Sequence, residues 1–223
     1  MRFDAIIFDF DGVIVDSEYV ANAAMADVLT AQGYPVTAEE SVARYSGLRW
    51  ADCHRAIEAE SGLSFDREAL GDLVDRAIGA RVAEVLAIEG IEPFLAAQAH
   101  RRLAIASSSE TAWLRSSLER LGLAGYFGDR LFSAAGFPRG KPHPDIYLHA
   151  AGALGVPPER CLVIEDHPVG VAAGAAAGMT VIALLAGNHI REGHDRRVTE
   201  AGAAYVARDY AEVSEILKEL EAD

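Results

Sequence analysis

Four short stretches of the chain end on residues able to do metal or phosphoryl chemistry. Asp9 and Asp11 close the run Asp4-Ala-Ile-Ile-Phe-Asp-Phe-Asp, Ser107-Ser108-Ser109 closes Arg102-Leu-Ala-Ile-Ala, and Glu165-Asp166 closes Cys161-Leu-Val-Ile. Lys141 lies in the loop Gly140-Lys-Pro-His-Pro-Asp145. Two carboxylates as close as Asp9 and Asp11 repel, and one is driven to hold a proton unless a cation lies between them. Asp9, Asp11, Glu165 and Asp166 offer hard oxygen ligands with room for water, the set that magnesium takes. Ser107, Ser108 and their N–H groups open toward a helix predicted from Thr111, where anions bind, and Lys141 adds a point charge suited to phosphate. A single Asp at a strand end usually caps a turn, and a serine run or a Lys-Pro pair alone says little. The combination points to a phosphoryl group with a metal on one side and Lys and hydroxyl donors on the other.

Those residues need a scaffold that gathers strand ends. The runs at 4–11, 102–109, 161–166 and 180–185, with a weaker one at 203–207, are near-continuously apolar. Strands buried on both faces of a parallel sheet read this way. Helices are predicted at 111–121, 145–154, 169–177 and 210–221. Strand and helix therefore alternate from about residue 91 onward, the pattern of a doubly wound sheet, which binds ligands beyond the carboxyl ends of its strands. Residues 16–88 carry no strand pattern. They show helical runs at about 17–32, 37–45, 50–61 and 66–87, broken at Gly33, Gly47 and Gly62. The expected fold is α/β, a Rossmann-like parallel-sheet core of residues 1–15 and 89–223 with an α-helical cap, 16–88, inserted after the first strand.

Composition narrows the function classes. The chain has 223 residues, 51% of them hydrophobic, and a formal net charge of −14. That is enough apolar material for a core and excludes intrinsic disorder. The acidity disfavours nucleic acid and anionic membrane surfaces as partners. No stretch of about 18 apolar residues is present, so no spanning helix is expected. The N-terminal apolar run is broken by Asp4, Asp9 and Asp11, unlike a leader peptide. The two cysteines, Cys53 and Cys161, make no disulfide framework, and Cys161 in an apolar run reads as a buried thiol in a reducing compartment, the cytoplasm. The seven histidines show no zinc-type spacing. A monomer is the expected state.

Asp9-Phe-Asp-Gly-Val-Ile-Val-Asp16, Ser107, the run Lys141 to Asp145, and Glu165-Asp166-His-Pro-Val-Gly170 together resemble the haloacid-dehalogenase-like superfamily, in its small-helical-cap subgroup of phosphatases and β-phosphoglucomutase-like enzymes. The motifs stand in family order and span the chain. The resemblance implies that Asp9 attacks phosphorus and becomes an aspartyl phosphate. Asp11 then protonates the leaving alcohol and afterwards activates water. Asp9, the backbone carbonyl of Asp11, and Asp166 hold Mg²⁺, with Glu165 as an added ligand or a support for the others. Ser107 and Lys141 bind the transferring group, Ser108 adds its N–H, and Gly12 lets the backbone turn close to the metal. Related dehalogenases lack the second aspartate, so Asp11 favours phosphoryl chemistry. Related mutases carry a His near Ala21 and an Arg near Trp50. Neither is matched, although Arg49 is one position away. A phosphatase acting on a small phosphorylated metabolite, such as a sugar phosphate, is the expected function; the alternatives are a phosphomutase and a non-catalytic metabolite sensor.

Substrate choice is expected on the cap, from Glu18, Tyr19, Tyr45, Arg49 and Trp50, with Gly47 and Leu48 resembling a specificity loop. Trp50 has two readings, stacking on a sugar face or anchoring the loop. His167, where relatives carry a small residue, has two readings, a contact to substrate beside the metal edge or a cap of the helix that follows it, with capping favoured, and His143 is read as a packing or surface residue. Gly170, Gly174 and Gly178 recur every four residues, a spacing suited to close helix–sheet packing.

The net charge opposes an anionic substrate unless a cation offsets the acidic strand edge locally. The metal-free protein should therefore bind phosphate esters poorly. Titrating a phosphate ester into protein with and without a chelator checks this, and equal affinity in the two conditions would refute it.

Overall fold

The computed structural model describes residues 2–46 and 50–222. Its elements follow as β1 (Ala5–Phe8), α1 (Glu18–Ala31), α2 (Ala38–Tyr45), α3 (Trp50–Ser61), α4 (Arg67–Ala80), α5 (Ile91–Gln98), β2 (Arg102–Ser107), α6 (Thr111–Arg120), α7 (Ala124–Phe127), β3 (Leu131–Ser133), α8 (Asp145–Leu154), β4 (Cys161–Glu165), α9 (Pro168–Ala176), β5 (Thr180–Leu184), α10 (His194–Glu200), β6 (Tyr205–Ala207) and α11 (Tyr210–Ala222). The strands form one six-stranded sheet in the order β3-β2-β1-β4-β5-β6, parallel throughout. This is the predicted doubly wound α/β core. Among the described residues no helix is long and apolar enough to cross a membrane.

Chain contacts divide the structure into two units, residues 1–15 with 87–223, and residues 16–86. In the sheet unit β1 is buried along its whole length, flanked by β2 and β4. Alternate side chains point to opposite faces. Ala5 and Ile7 pack with Ile146 and Tyr147 of α8 and Val171 of α9. Phe8 points the other way, edge-on to Phe94 of α5 at 6.2 Å and Phe127 of α7 at 5.8 Å. Both faces are covered, which explains the unbroken apolar runs.

The second unit is helical and has its own core of Met25, Leu29, Tyr45, Cys53, Ile57, Leu70 and Val74. Its helices start where side chains satisfy orphan N–H groups. Thr37 and Glu40 form a reciprocal capping box on α2, and the Asp66 carboxylate accepts from Ala69 N at 2.8 Å on α4.

Several boundaries differ from the sequence expectation. The helix predicted to 87 stops at Ala80, because Ala87 must be extended to pair antiparallel with Val15. Residues 91–98 are a helix, so the sheet resumes only at Arg102. β3 was not predicted: it is a three-residue edge strand, half-buried throughout. The short helices α7 and α10 were also not predicted. Gly170 and Gly174 are packing glycines, but Gly178 is not. It has φ +76° with open space where a side chain would project, and it turns the chain out of α9.

A Cβ on Gly174 would lie 2.9 Å from Val181 Cγ2 and 3.4 Å from Val163 Cγ1, both rooted in the sheet. Gly174→Ala should cost about 1–3 kcal/mol through overpacking, read by urea denaturation; an unchanged midpoint would contradict this packing.

Candidate active site

The order of the strands reverses beside β1, and in open α/β sheets the crevice at such a point receives ligands. Phe8 is level with Ile105 on one side and Ile164 on the other. Asp9 N donates to Ile164 O at 2.9 Å, so Asp9 leaves the sheet level with Ala106 of β2, one residue before Ser107, and with Glu165 of β4.

Lys141 joins these ends. Its Nζ donates to Asp9 Oδ1 at 2.7 Å and Glu165 Oε1 at 2.6 Å, with its side chain 7% exposed. It also lies over the Tyr147 ring, 5.1 Å from the centroid. Burial opposes the ammonium charge, but the two carboxylates hold its pKa well above the usual lysine value. Glu165 is saturated. Oε1 accepts from Lys141 and from Tyr147 Oη at 3.0 Å, and Oε2 from the N–H groups of Asp166 (2.9 Å) and His167 (3.0 Å). Burial works against its charge, yet Lys141 and these donors keep its pKa below the ordinary value. Asp9 goes the other way: burial, reinforced by the charges of Glu165 and Asp166 and only partly offset by Lys141, raises its pKa well above the ordinary carboxylate range.

Two glycines make room for this cluster. A Cβ on Gly170 would lie 1.6 Å from Glu165 Oε1, and one on Gly12 would lie 2.0 Å from Asp166 Oδ2. Gly12 also needs its φ of +80° to turn the segment after β1, where its N–H bonds Val15 O at 2.7 Å.

Asp11 is placed differently from the other acids. Its carboxylate accepts from Ser109 Oγ at 2.5 Å and Trp113 Nε1 at 3.4 Å. Ser107 is buried and its Oγ accepts from Ser109 N at 3.0 Å, which leaves the hydroxyl proton to donate elsewhere. Ser108 is exposed at the end of β2, just before α6.

The residues present fit a divalent cation. Asp9, Glu165 and Asp166 are buried, with a ligand oxygen from each within 4.8 Å of the others, and they are the one such group among the described residues. All are hard oxygen donors. Both Glu165 oxygens are already engaged by protein donors.

The cap residues lie in the helical unit. Glu18 accepts from Ser46 Oγ at 2.8 Å, and Tyr19 donates to Glu39 at 2.9 Å. Tyr45 donates to Glu60 at 2.9 Å, its pKa raised by burial and by its bonds to Tyr34 and Glu60. Trp50 Nε1 donates to Arg67 O at 3.2 Å, so the indole braces α3 against α4, the anchoring alternative. Gly47, Leu48 and Arg49 lie outside the described residues. His143 is exposed, and His167 accepts from Val169 N at 3.3 Å as the cap of α9; burial lowers its pKa.

Sequence reasoning missed Tyr147, Ser109, Trp113, His189 and His194. Tyr147 and Trp113 occur at helical spacing and read as core. His189 and His194 follow β5 in a segment with no motif, although a loop at a carboxyl strand end was a place to search.

The chain is thus a parallel doubly wound sheet with an acid–lysine–acid cluster at its reversal point. The chain matches the haloacid dehalogenase-like hydrolase family over residues 3–178 and belongs to it. It is 31% identical to 6-phosphogluconate phosphatase of Escherichia coli over 190 residues, 84% of this chain and 85% of that protein. It is 30% identical to fructose-1-phosphate phosphatase YqaB of the same organism, covering 81% and 96%. The crystal structure of a family hydrolase from Deinococcus radiodurans with bound phosphate and sodium superposes with a TM-score of 0.85 at 34% identity, covering 98% of this chain and 96% of that one.

Removing the ammonium leaves buried carboxylates uncompensated, a change that costs about 3–5 kcal/mol. Lys141→Met should lower the melting temperature of metal-free protein accordingly, and a wild-type melting curve would show that Lys141 does not hold the cluster.

Proposed function

We propose that this chain, a phosphoric monoester hydrolase of the haloacid dehalogenase-like family, hydrolyses a small phosphorylated metabolite of the sugar-phosphate class through an aspartyl phosphate, with Mg²⁺ as cofactor. The observation that carries the reading is the Lys141 bridge between Asp9 and Glu165 beside Asp166. It brings one carboxylate suited to be the nucleophile, a fixed cation and two further acidic residues together, which supports the reading. The family relatives named above support the substrate class, and the bound phosphate of the Deinococcus structure supports the anion site.

Asp9, Asp166 and the backbone carbonyl of Asp11 would hold Mg²⁺, which when bound supplies charge neutralisation at the phosphoryl oxygens. Lys141, Ser107 and the Ser108 N–H bind those oxygens and align the group, the main demand of phosphoryl transfer. An Asp9 oxygen forms a bond to phosphorus as the phosphorus–alkoxide bond breaks, and Asp11 gives its proton to the leaving oxygen. Water then attacks phosphorus, passes a proton to Asp11, and the Asp9–phosphorus bond breaks to release phosphate. Ser109 and Trp113 hold the Asp11 carboxylate through hydrogen bonds. The acidic surface and the buried thiols of Cys53 and Cys161 suit a cytoplasmic monomer. Glu18 and Arg49 are the proposed cap contributions to substrate choice, with Trp50 acting through its brace of α3 against α4.

Phosphate release from a panel of sugar phosphates, with Mg²⁺ and with chelator, tests the reading. Turnover should require Mg²⁺. Asp9→Asn should abolish it, and Asp11→Asn should reduce it by about 10²–10⁴-fold as expected for lost acid–base catalysis. Isomerisation of β-glucose 1-phosphate without phosphate release would establish a mutase instead, and binding without turnover a sensor.

A further inference from the structure

The segment after β5 carries chemistry that the proposed reaction leaves unused. It presents His189 and His194, both buried at 5% exposure. Their rings lie edge to face at 6.1 Å, and His194 is edge to face with His167 at 6.4 Å. Both converge on one residue. His194 Nε2 lies 2.6 Å from the backbone O of Asp166, and His189 Nε2 lies at ion-pair distance, 2.8 Å, from Asp166 Oδ2, a charge contact not aligned as a hydrogen bond. Two further contacts narrow the freedom of Asp166. Its N–H is held by Glu165 Oε2, and its Oδ2 abuts the Gly12 backbone, where an added Cβ would meet that oxygen at 2.0 Å and His189 Cε1 at 2.9 Å.

We propose that His189 and His194 are positioning residues that clamp Asp166, His189 at the carboxylate and His194 at the main chain, and so preset it for the divalent cation. The proposal rests on the reading that Asp166 is a metal ligand. A carboxylate at the exit of a strand has two soft side-chain torsions. Fixing one oxygen and the carbonyl aims the other oxygen and removes an ordering cost that metal binding would otherwise bear. A partner of this kind governs affinity without touching the ion, and its loss typically weakens metal binding 10- to 100-fold. His194 also places the start of α10, since Gly193 precedes it with φ +76°. The clamp thus ties the loop after β5 to the end of β4.

The test measures Mn²⁺ binding directly, by loss of the free-ion electron paramagnetic resonance signal, on full-length protein. His189→Phe and His194→Phe keep a ring in place and remove its nitrogens. Each should raise the Mn²⁺ dissociation constant roughly 10-fold or more and reduce the rise in melting temperature that Mn²⁺ gives, measured against the same variant's own metal-free melting temperature. His189→Gln, which restores an N–H, should recover part of the affinity. If a Phe variant does not fold, the corresponding Ala variant carries the same comparison. Folded variants that bind Mn²⁺ within twofold of wild type overturn the clamp. Wild-type protein that binds no Mn²⁺, or binds it equally after Asp166→Asn, overturns instead the assignment of Asp166 as a ligand.

Discussion

A lysine buried between two carboxylates is the interaction on which this site depends. Taking an ammonium out of water costs several kcal/mol, recovered only where geometry and hydrogen bonding are good. The chain meets that condition with unusual completeness around Glu165. Lys141, Tyr147 and two consecutive main-chain N–H groups occupy both of its oxygens, and Gly170 leaves space for them. Glu165 thereby becomes a fixed anion whose job is to hold Lys141, and Lys141 in turn holds Asp9. Asp9 is left crowded, with a raised proton affinity that a second cation would relieve.

The sheet order explains why this can be built from distant parts of the chain. β1 pairs with β2 on one side and β4 on the other, so residues near 9, 107 and 165 reach one edge as a consequence of winding the chain in both directions from β1. Burial on both faces fixes the register. A one-residue slip in any of these strands would exchange its two faces and carry Asp9 or Glu165 away from the cluster. Phe8, wedged edge-on between Phe94 and Phe127, holds the strand that delivers Asp9.

Strand ends were legible in the sequence because a doubly buried strand is an apolar run, and a charged residue after it marks where burial stops. Asp9 and Glu165 announce themselves in this way, and Lys141 does so through its Pro-flanked loop. The capping residues Thr37 and Asp66 likewise obey local rules. What stayed hidden depends on partners far away in the chain. Tyr147 is one more aromatic on an apolar helix until Glu165 comes within reach of its hydroxyl. His189 and His194 have no spacing rule that points to Asp166. β3 has too few residues to show a period, and the return at Ala87 is extended only because Val15 is there to pair with it. Local chemistry writes itself into sequence, whereas mutual positioning does so weakly.

The overall acidity takes on a different meaning at this scale. A charge of −14 spread over a surface is screened within about 8–10 Å at physiological salt, whereas the buried groups of the crevice are not. On the proposed reading, phosphate entering it would meet Lys141 and the hydroxyl of Ser107 at close range and the surface charge only through solvent. The local balance governs binding: three carboxylates against one ammonium leave an acidic excess of the size that a divalent cation neutralises. On the proposed reading the crevice without that cation would repel its own substrate class, and with it Lys141 and the metal would face the same phosphoryl group, leaving the surface acidity to serve solubility.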